Sequence, residues 1–307
     1  MKYFKLIRIV NLLILALTQY LFKYFLIDYY YNTTALTDFQ FFLLVFSTVC
    51  IAAAGYVIND IQDVNTDTNN KPTKVLVGRE ISEKTANSIY LALNSIGIII
   101  GFYLSYAVDK PNYAMVFVFS SGLLYMYATN LKNYVVVANI SIAILTAVSI
   151  LIIGLFEILP IYGVNDAYEH LNKHVFTRLL VYSGFAFYLN FLREIVKDVE
   201  DIDGDYNTGR KTIPIEIGVK RTGMLIAILT FLLIALLFGL GYTYFFSNEI
   251  VIGYLLFAVL LPLFFIAIKA SMATKKTDFK ILKNVLKGTM VTGICLVIII
   301  HQFVLTK

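Results

Sequence analysis

The sequence predicts an all-α, polytopic membrane protein built as a bundle of nine transmembrane helices. Three observations lead there. Of 307 residues, 59% are hydrophobic and only 15% charged, giving a mean hydropathy of +0.77, well outside the range of soluble domains. The apolar residues gather in nine stretches of about the 20 residues that cross a hydrocarbon layer. Lys and Arg, in turn, concentrate on alternate connections, as the positive-inside tendency requires.

The first span, roughly 5–27, follows Lys2, Lys5 and Arg8 and imitates a secretion signal. No small-x-small cleavage site follows it, so it reads as an uncleaved spanning helix. Further spans are expected at roughly 38–61, 84–107, 112–131, 134–156, 175–198, 222–245, 249–269 and 285–305. Helices are the economical choice because lipid offers the backbone no hydrogen bonds. With the N-terminus in the cytoplasm, 20 of the 25 Lys and Arg residues fall on that side; Lys23, Lys110, Lys173, Arg178 and Lys307 fall outside. The net charge of +5 is therefore mostly a topology signal and argues for no nucleic-acid partner. Cys50 and Cys295 sit in apolar runs and imply neither a disulfide framework nor a metal motif. The chain reads as one integral-membrane domain, 1–307, with no obligate protein partner evident. Ala52 to Gly55 and the Gly97-x-x-x-Gly101 spacing offer smooth faces for close helix contact.

Charge is scarce, yet "YVINDIQDVNTDTNNKP" places Asp60, Asp63 and Asp67 directly after an apolar span. A second stretch, "REIVKDVEDIDGDYNTGRKTIP", repeats the three-then-four spacing with Asp198, Asp201 and Asp205, again at the cytoplasmic end of a span. On a helix, positions i, i+3 and i+7 lie within about 60° of one another, so each set forms one acidic stripe. Such crowding of carboxylates is costly through like-charge repulsion, and burial raises the cost. A divalent cation relieves it. Magnesium prefers oxygen ligands and is commonly held by one or two carboxylates plus substrate phosphates. Two stripes can hold two such ions around a diphosphate, with Lys71, Lys74, Arg79, Arg210 and Lys211 neutralising the remaining charge.

Three other readings compete. One is a solvated helix end, which accounts for a single stripe better than for a matched pair. A calcium loop beginning at Asp63 fails at its sixth position, Thr68, and its twelfth, Lys74; one beginning at Asp201 fails at Tyr206 and Thr212. The third is a cation pathway, as in a transporter or channel. Transporter sites normally lie near the midplane at broken helices, whereas these stripes stand at span ends beside basic loops.

At these residues the chain resembles the UbiA-type intramembrane prenyltransferases. Asn59-Asp60-x-x-Asp63-x-x-x-Asp67 is similar to the family's first signature, and Asp201-x-x-x-Asp205 with Gly209, Lys211 and Thr212 to its second. "KPTKVLVGREIS" resembles the basic loop after the first motif, and "YATNLK", residues 127–132, a Tyr-Ser-x-x-Leu-Lys segment with Ala128 in place of Ser. "IRIVN", residues 7–11, is similar to the start of the family's first helix, without the Pro common after the Arg. The membrane phosphatidyl-alcohol transferases also cluster aspartates, but their Asp-Gly-x-x-Ala-Arg opening is missing here.

The resemblance implies a helical bundle around a central cavity with a polar cytoplasmic cap. It implies two magnesium ions, an allylic prenyl diphosphate as donor and a lipophilic or aromatic acceptor, with membrane lipid as the surroundings. Asn59, Asp63 and Asp67 would serve one ion with Asp60 assisting, and Asp201 and Asp205 the other with Asp198 nearby. Asp63, Asp67, Asp201 and Asp205 are the expected catalytic carboxylates. Lys71, Arg79, Tyr127, Lys132 and Lys211 are candidates for gripping the diphosphate. "REIVKDVEDIDGD" followed by "TIPIEIG" most resembles the branch that alkylates geranylgeranylglyceryl phosphate; a quinone-pathway aromatic acceptor is the alternative.

The 22 Tyr and 24 Phe provide faces that can stabilise an allylic cation by cation–π attraction, although most serve packing or the interfacial belt. Asn11, Asn139 and Asn190 cost free energy in lipid and should face the bundle interior, by hydrogen bonding between helices or by touching substrate, with Asn11 the substrate-binding candidate. Arg193 either pairs with Glu194 or meets an anionic acceptor headgroup.

Overall fold

Arg8 sets the entry to the first span: with φ 52° and ψ 54° it is left-handed and separates helix α1 (Lys2–Leu6) from α2 (Ile9–Phe22). The computed structural model describes residues 1–31, 34–70, 75–161 and 169–305, which divide into two compact units, Met1–Ser183 and Gly184–Lys307. Among the described residues the regular structure is helical, apart from one isolated bridge between Val77 and Ile81.

In the first unit a π turn (Lys23–Ile27) and the short α3 (Asp28–Tyr30) extend α2. Helix α4 (Asp38–Gln62) starts at a reciprocal cap, in which Gln40 N–H donates to Thr37 Oγ1 at 3.3 Å and Thr37 N–H to Gln40 Oε1 at 2.9 Å. Helix α5 (Val64–Asn70) follows after one residue. Helix α6 (Glu83–Ala107) begins at Ser82, whose hydroxyl accepts from Thr85 N–H at 3.1 Å. Helices α7 (Ala114–Thr129) and α8 (Val137–Glu157) come next, and the first part of α9 (Glu169–Asn207) completes the unit.

Helix α4 packs against α2, α6 and α7. Its approach to α6 depends on Gly97, whose carbonyl accepts from Ser47 Oγ at 2.7 Å. A Cβ at Gly101 would stand 2.4 Å from the Phe117 ring, and one at Gly55 2.7 Å from Leu124. The small-residue faces read from the sequence are therefore helix contacts, where absence of a side chain sets the spacing.

The second unit holds the C-terminal part of α9, then α10 (Ile213–Ile217), α11 (Val219–Phe245), α12 (Glu249–Tyr254), α13 (Leu261–Met272) and α14 (Lys276–Ile300). Tyr188 of α9 donates to the Leu229 carbonyl at 2.8 Å, and Lys276 and Lys283 of α14 pair with Asp203 and Glu200 of α9. Between α12 and α13 the backbone widens into a π segment (Leu255–Leu260) just before Pro262, which lacks the N–H that a regular ladder needs.

The protein is a multi-pass membrane protein, and eight helices among the described residues are long and apolar enough to cross. Expectation and structure differ at 112–131. There α7 has only 16 residues between 3-10 turns at Pro111–Tyr113 and Leu131–Asn133, a rise of about 24 Å at 1.5 Å per residue against a core of about 30 Å. The span expected at 175–198 lies within the 39 residues of α9, which rise about 58 Å, longer than a hydrocarbon core of about 30 Å. Asn139 and Asn190 are buried, as expected of amides in spanning helices, and Asn11 is half-buried.

Candidate active site

The first motif sits on a break. Asp63 ends α4 with φ −92° and ψ 3°, outside helical values, a conformation that a short polar side chain tolerates because it competes for backbone partners. The hydrogen-bond register nevertheless continues: Asp63 N–H donates to Asn59 O at 2.9 Å, and Asp67 N–H to Asp63 O at 2.8 Å. Asp60, Asp63 and Asp67 therefore remain neighbours, though spread over α4, the junction and α5 instead of one uninterrupted helix.

Around Asp63 the polar groups converge. Lys132, at the 3-10 turn after α7, places Nζ 2.6 Å from Asp63 Oδ2, and Asn59 Nδ2 donates to the same oxygen at 2.8 Å. Only 8% of Asp63 and 7% of Lys132 is exposed, so this is a buried charge pair and not a surface bridge. The ammonium also lies 5.2 Å from the centre of the Tyr127 ring. Asn59 and Asp63 of the first motif and Tyr127 and Lys132 of the "YATNLK" segment thus form one cluster. Asp67 is half-buried and, with Asp63, lies within electrostatic reach of Asp60.

Asp60 is engaged elsewhere. Its Oδ1 accepts from Arg8 Nη2 at 2.8 Å, and that guanidinium stacks 4.8 Å from the centre of the Tyr56 ring. In the sequence Arg8 reads only as a topology signal, with the resemblance of "IRIVN" to a family segment the one hint of more. Arg79 is exposed in a tight turn beside Gly78, whose φ of 82° favours glycine. That turn is anchored by a cluster of Leu6, Val57, Val77, Ile81 and Ala86. Lys71 and Lys74 lie outside the described residues. Asn11 is one turn beyond Arg8 on the N-terminal part of α2.

The second motif needs no break. Helix α9 runs unbroken through Asp198, Asp201 and Asp205, so the three carboxylates share a face as the spacing requires. Asp205 is 5% exposed and pairs with Arg210 Nη1 at 3.3 Å; Asp198 and Asp201 are half-buried. Gly209, with φ 73°, reverses the chain so that Arg210 N–H meets the Asp205 carbonyl at 2.9 Å and its side chain returns to the carboxylate. Lys211, the residue nominated from the sequence, is exposed, and its neighbour Arg210 makes the contact. Arg193 lies 3.5 Å from Glu194 and donates to Asn190 Oδ1 at 2.7 Å.

Sequence reasoning also missed a buried ionic cluster elsewhere in the first unit. Lys23 Nζ, 3% exposed, lies 3.2 Å from the fully buried Glu157 and 2.8 Å from Asp28, and donates to Thr34 Oγ1 at 2.8 Å. No motif announces it, since its members are scattered from residue 23 to 157.

The donor set suits magnesium. Asn59, Asp63 and Asp67 offer hard oxygens in the first unit, and Asp201 and Asp205 in the second. Magnesium is commonly held by one or two carboxylates and completed by substrate phosphates.

Fold and motifs together define a class. The model of the UbiA prenyltransferase family matches residues 21–287, and the chain belongs to that family as a prenyl-transferring enzyme. It is similar to the digeranylgeranylglyceryl phosphate synthase of Korarchaeum cryptofilum, 33% identical over 199 residues, which span 65% of this chain and 64% of that protein. It is similar also to the synthase of the same name from Methanobrevibacter smithii, 29% identical over 85% of this chain and 87% of that one. Among solved structures, a digeranylgeranylglyceryl phosphate synthase shares the fold with a TM-score of 0.63 at 23% identity, covering 97% of this chain and 98% of the other. A UbiA homologue from Archaeoglobus fulgidus, bound to DMAPP and Mg2+, does so with a TM-score of 0.55 at 15% identity, covering 97% and 100%.

Proposed function

We propose that the protein transfers a geranylgeranyl group from its diphosphate to the glycerol hydroxyl of geranylgeranylglyceryl phosphate, forming a second ether bond. The allylic carbon–oxygen bond to diphosphate breaks, the carbon bonds to the hydroxyl oxygen, and diphosphate and the hydroxyl proton leave. The observation that carries this reading is the buried Asn59–Asp63–Lys132 cluster beside Tyr127, which joins an oxygen-donor set to a phosphate-seeking ammonium in a water-poor place. The names of the curated relatives support the acceptor, and the ligands of the A. fulgidus homologue support the donor class and the metal.

Asn59, Asp63 and Asp67 would hold one magnesium ion, and Asp201 and Asp205 a second. Bound magnesium withdraws charge from the diphosphate and so improves it as a leaving group. Lys132 neutralises phosphate charge and, through its contact with Asp63, keeps that carboxylate oriented. Arg210 has the same relation to Asp205. Arg79, Lys71 and Lys211 supply further positive charge toward an anionic substrate, and Arg193 stands ready for the acceptor headgroup. Each compact unit carries one acidic motif, as pseudo-repeated halves of a single domain should, and both motifs are required for turnover. The Lys and Arg asymmetry makes the end carrying the N-terminus and the first motif the cytoplasmic one.

The test incubates detergent-purified protein with magnesium, labelled geranylgeranyl diphosphate and three separate acceptors: geranylgeranylglyceryl phosphate, 4-hydroxybenzoate and a naphthoate. Transfer to the glycerol lipid alone is expected. Transfer to an aromatic acceptor with none to the lipid would overturn the acceptor assignment.

A further inference from the structure

We infer that Asp60 is the counter-ion of Arg8 and not a metal ligand, and that Arg8 is a positioning residue that ties the N-terminal segment to the first acidic motif. The inference rests on the proposed metal site and narrows it. Asp60 was the fourth oxygen donor suggested by its sequence neighbours, but its Oδ1 is held by Arg8 Nη2 at 2.8 Å, while Asp63 receives Lys132 and Asn59. The guanidinium is fixed on three sides: by Asp60, by the Tyr56 ring one turn earlier on α4, and by its own left-handed backbone. That conformation is unfavourable for a residue with a Cβ, and it persists only where surroundings enforce it.

Two further contacts show what the arrangement holds in place. Leu6, just before Arg8, is fully buried in the cluster of Val57, Val77, Ile81 and Ala86. Lys2 Nζ donates to the Glu80 carbonyl at 2.8 Å. Residues 1–8 thus form a strap joining the end of α4 to the turn that carries Arg79. The Arg8–Asp60 pair fastens the strap to the motif itself. Its charges cancel, so Asp60 adds no net charge to the motif, whose Asp63 is paired with Lys132.

The two roles for Asp60 predict opposite results for a paired substitution. Mn2+ serves as the probe, with its binding to substrate-free protein read by electron paramagnetic resonance for wild type, Arg8→Gln, Asp60→Asn and the double variant. Removing Arg8 alone should tighten Mn2+ binding, and removing Asp60 alone should weaken it, each on the order of fivefold for a unit charge at short range in a wet site. The double variant should return to the wild-type affinity. A double variant that binds as weakly as Asp60→Asn, or an Arg8→Gln variant indistinguishable from wild type, overturns the inference. Should Arg8→Gln not fold, the apolar pair Arg8→Met/Asp60→Leu replaces the double variant with the same two outcomes. If wild type itself binds no Mn2+, the proposed metal site fails. The pairing is then judged by thermal unfolding of the four proteins in metal-free buffer, where non-additive losses support it and additive losses overturn it.

Discussion

Replacing Lys132 with Met tests the central cluster most directly. Lys132 and Asp63 are both nearly buried and 2.6 Å apart. Removing one partner of such a pair typically costs about 3–5 kcal/mol, because a charge stays behind without compensation. Asn59 continues to donate to the same Asp63 oxygen at 2.8 Å, so the loss should fall near the lower end, about 3 kcal/mol. The paired variant Asp63→Asn/Lys132→Met leaves no stranded charge and should regain most of that stability. Unfolding in detergent, followed by circular dichroism for wild type, both single variants and the pair, supplies the cycle. Turnover should be lost in both Lys132 variants even where the fold is regained, separating chemistry from stability. A Lys132→Met protein as stable as wild type, or a double variant no more stable than that single one, would refute the electrostatic reasoning.

Further outcomes follow from the same geometry. Asp63→Ala and Asp201→Ala should each abolish prenyl transfer while the protein still elutes as a folded species on size exclusion; full activity in either removes that motif from the site. Gly101→Ala should destabilise by about 1–3 kcal/mol because the added carbon meets the Phe117 ring, whereas Gly122→Ala, with open space around it, should not, as unfolding curves will show. Lys23→Met strands the buried Glu157 and should cost about 3 kcal/mol or more in stability. It should leave Mn2+ affinity unchanged, since the Lys23 ammonium sits against Phe41 near the start of α4 and Asp63 stands at that helix's other end.

The helical class, most spans and the two acidic motifs were legible because their signals are local. A hydrophobic run of set length, or carboxylates three and four residues apart, needs only the rise and turn of a helix to become structure. Asp63 is found this way, whereas Asn59, Tyr127 and Lys132 are nominated by resemblance to family segments, and the fold then brings the four together. Signals that depend on a partner far along the chain were invisible. Nothing in the sequence near Lys23 names Glu157, and nothing near Asp60 separates its role from that of Asp63. The pairing of Arg210 with Asp205 was invisible for a related reason: which basic residue turns back to that carboxylate is decided by the left-handed Gly209. The length of α7 was not legible: the regular helix covers only Ala114–Thr129, and 3-10 turns at Pro111–Tyr113 and Leu131–Asn133 take up the rest of the expected span.

The left-handed Arg8 offers a last test in which backbone and side chain predict different orders of stability. In an ordinary helix, Ala is more stable than Gly by about 1 kcal/mol, because Gly surrenders more chain entropy. At φ 52° the comparison changes, since a Cβ in the left-handed region costs about 1–2 kcal/mol that Gly avoids. Arg8→Gly should therefore be at least as stable as Arg8→Ala, although both lose the bond to Asp60 and the Tyr56 stack. Both should also be less stable than wild type, because the ion pair and the stacked ring are what hold the strained backbone in place. Thermal unfolding of the three proteins decides the matter. An Ala variant clearly more stable than the Gly variant would mean that residue 8 relaxes into the helix once its side chain is gone. The strap would then be held by Arg8's contacts alone, with no contribution from a fixed turn.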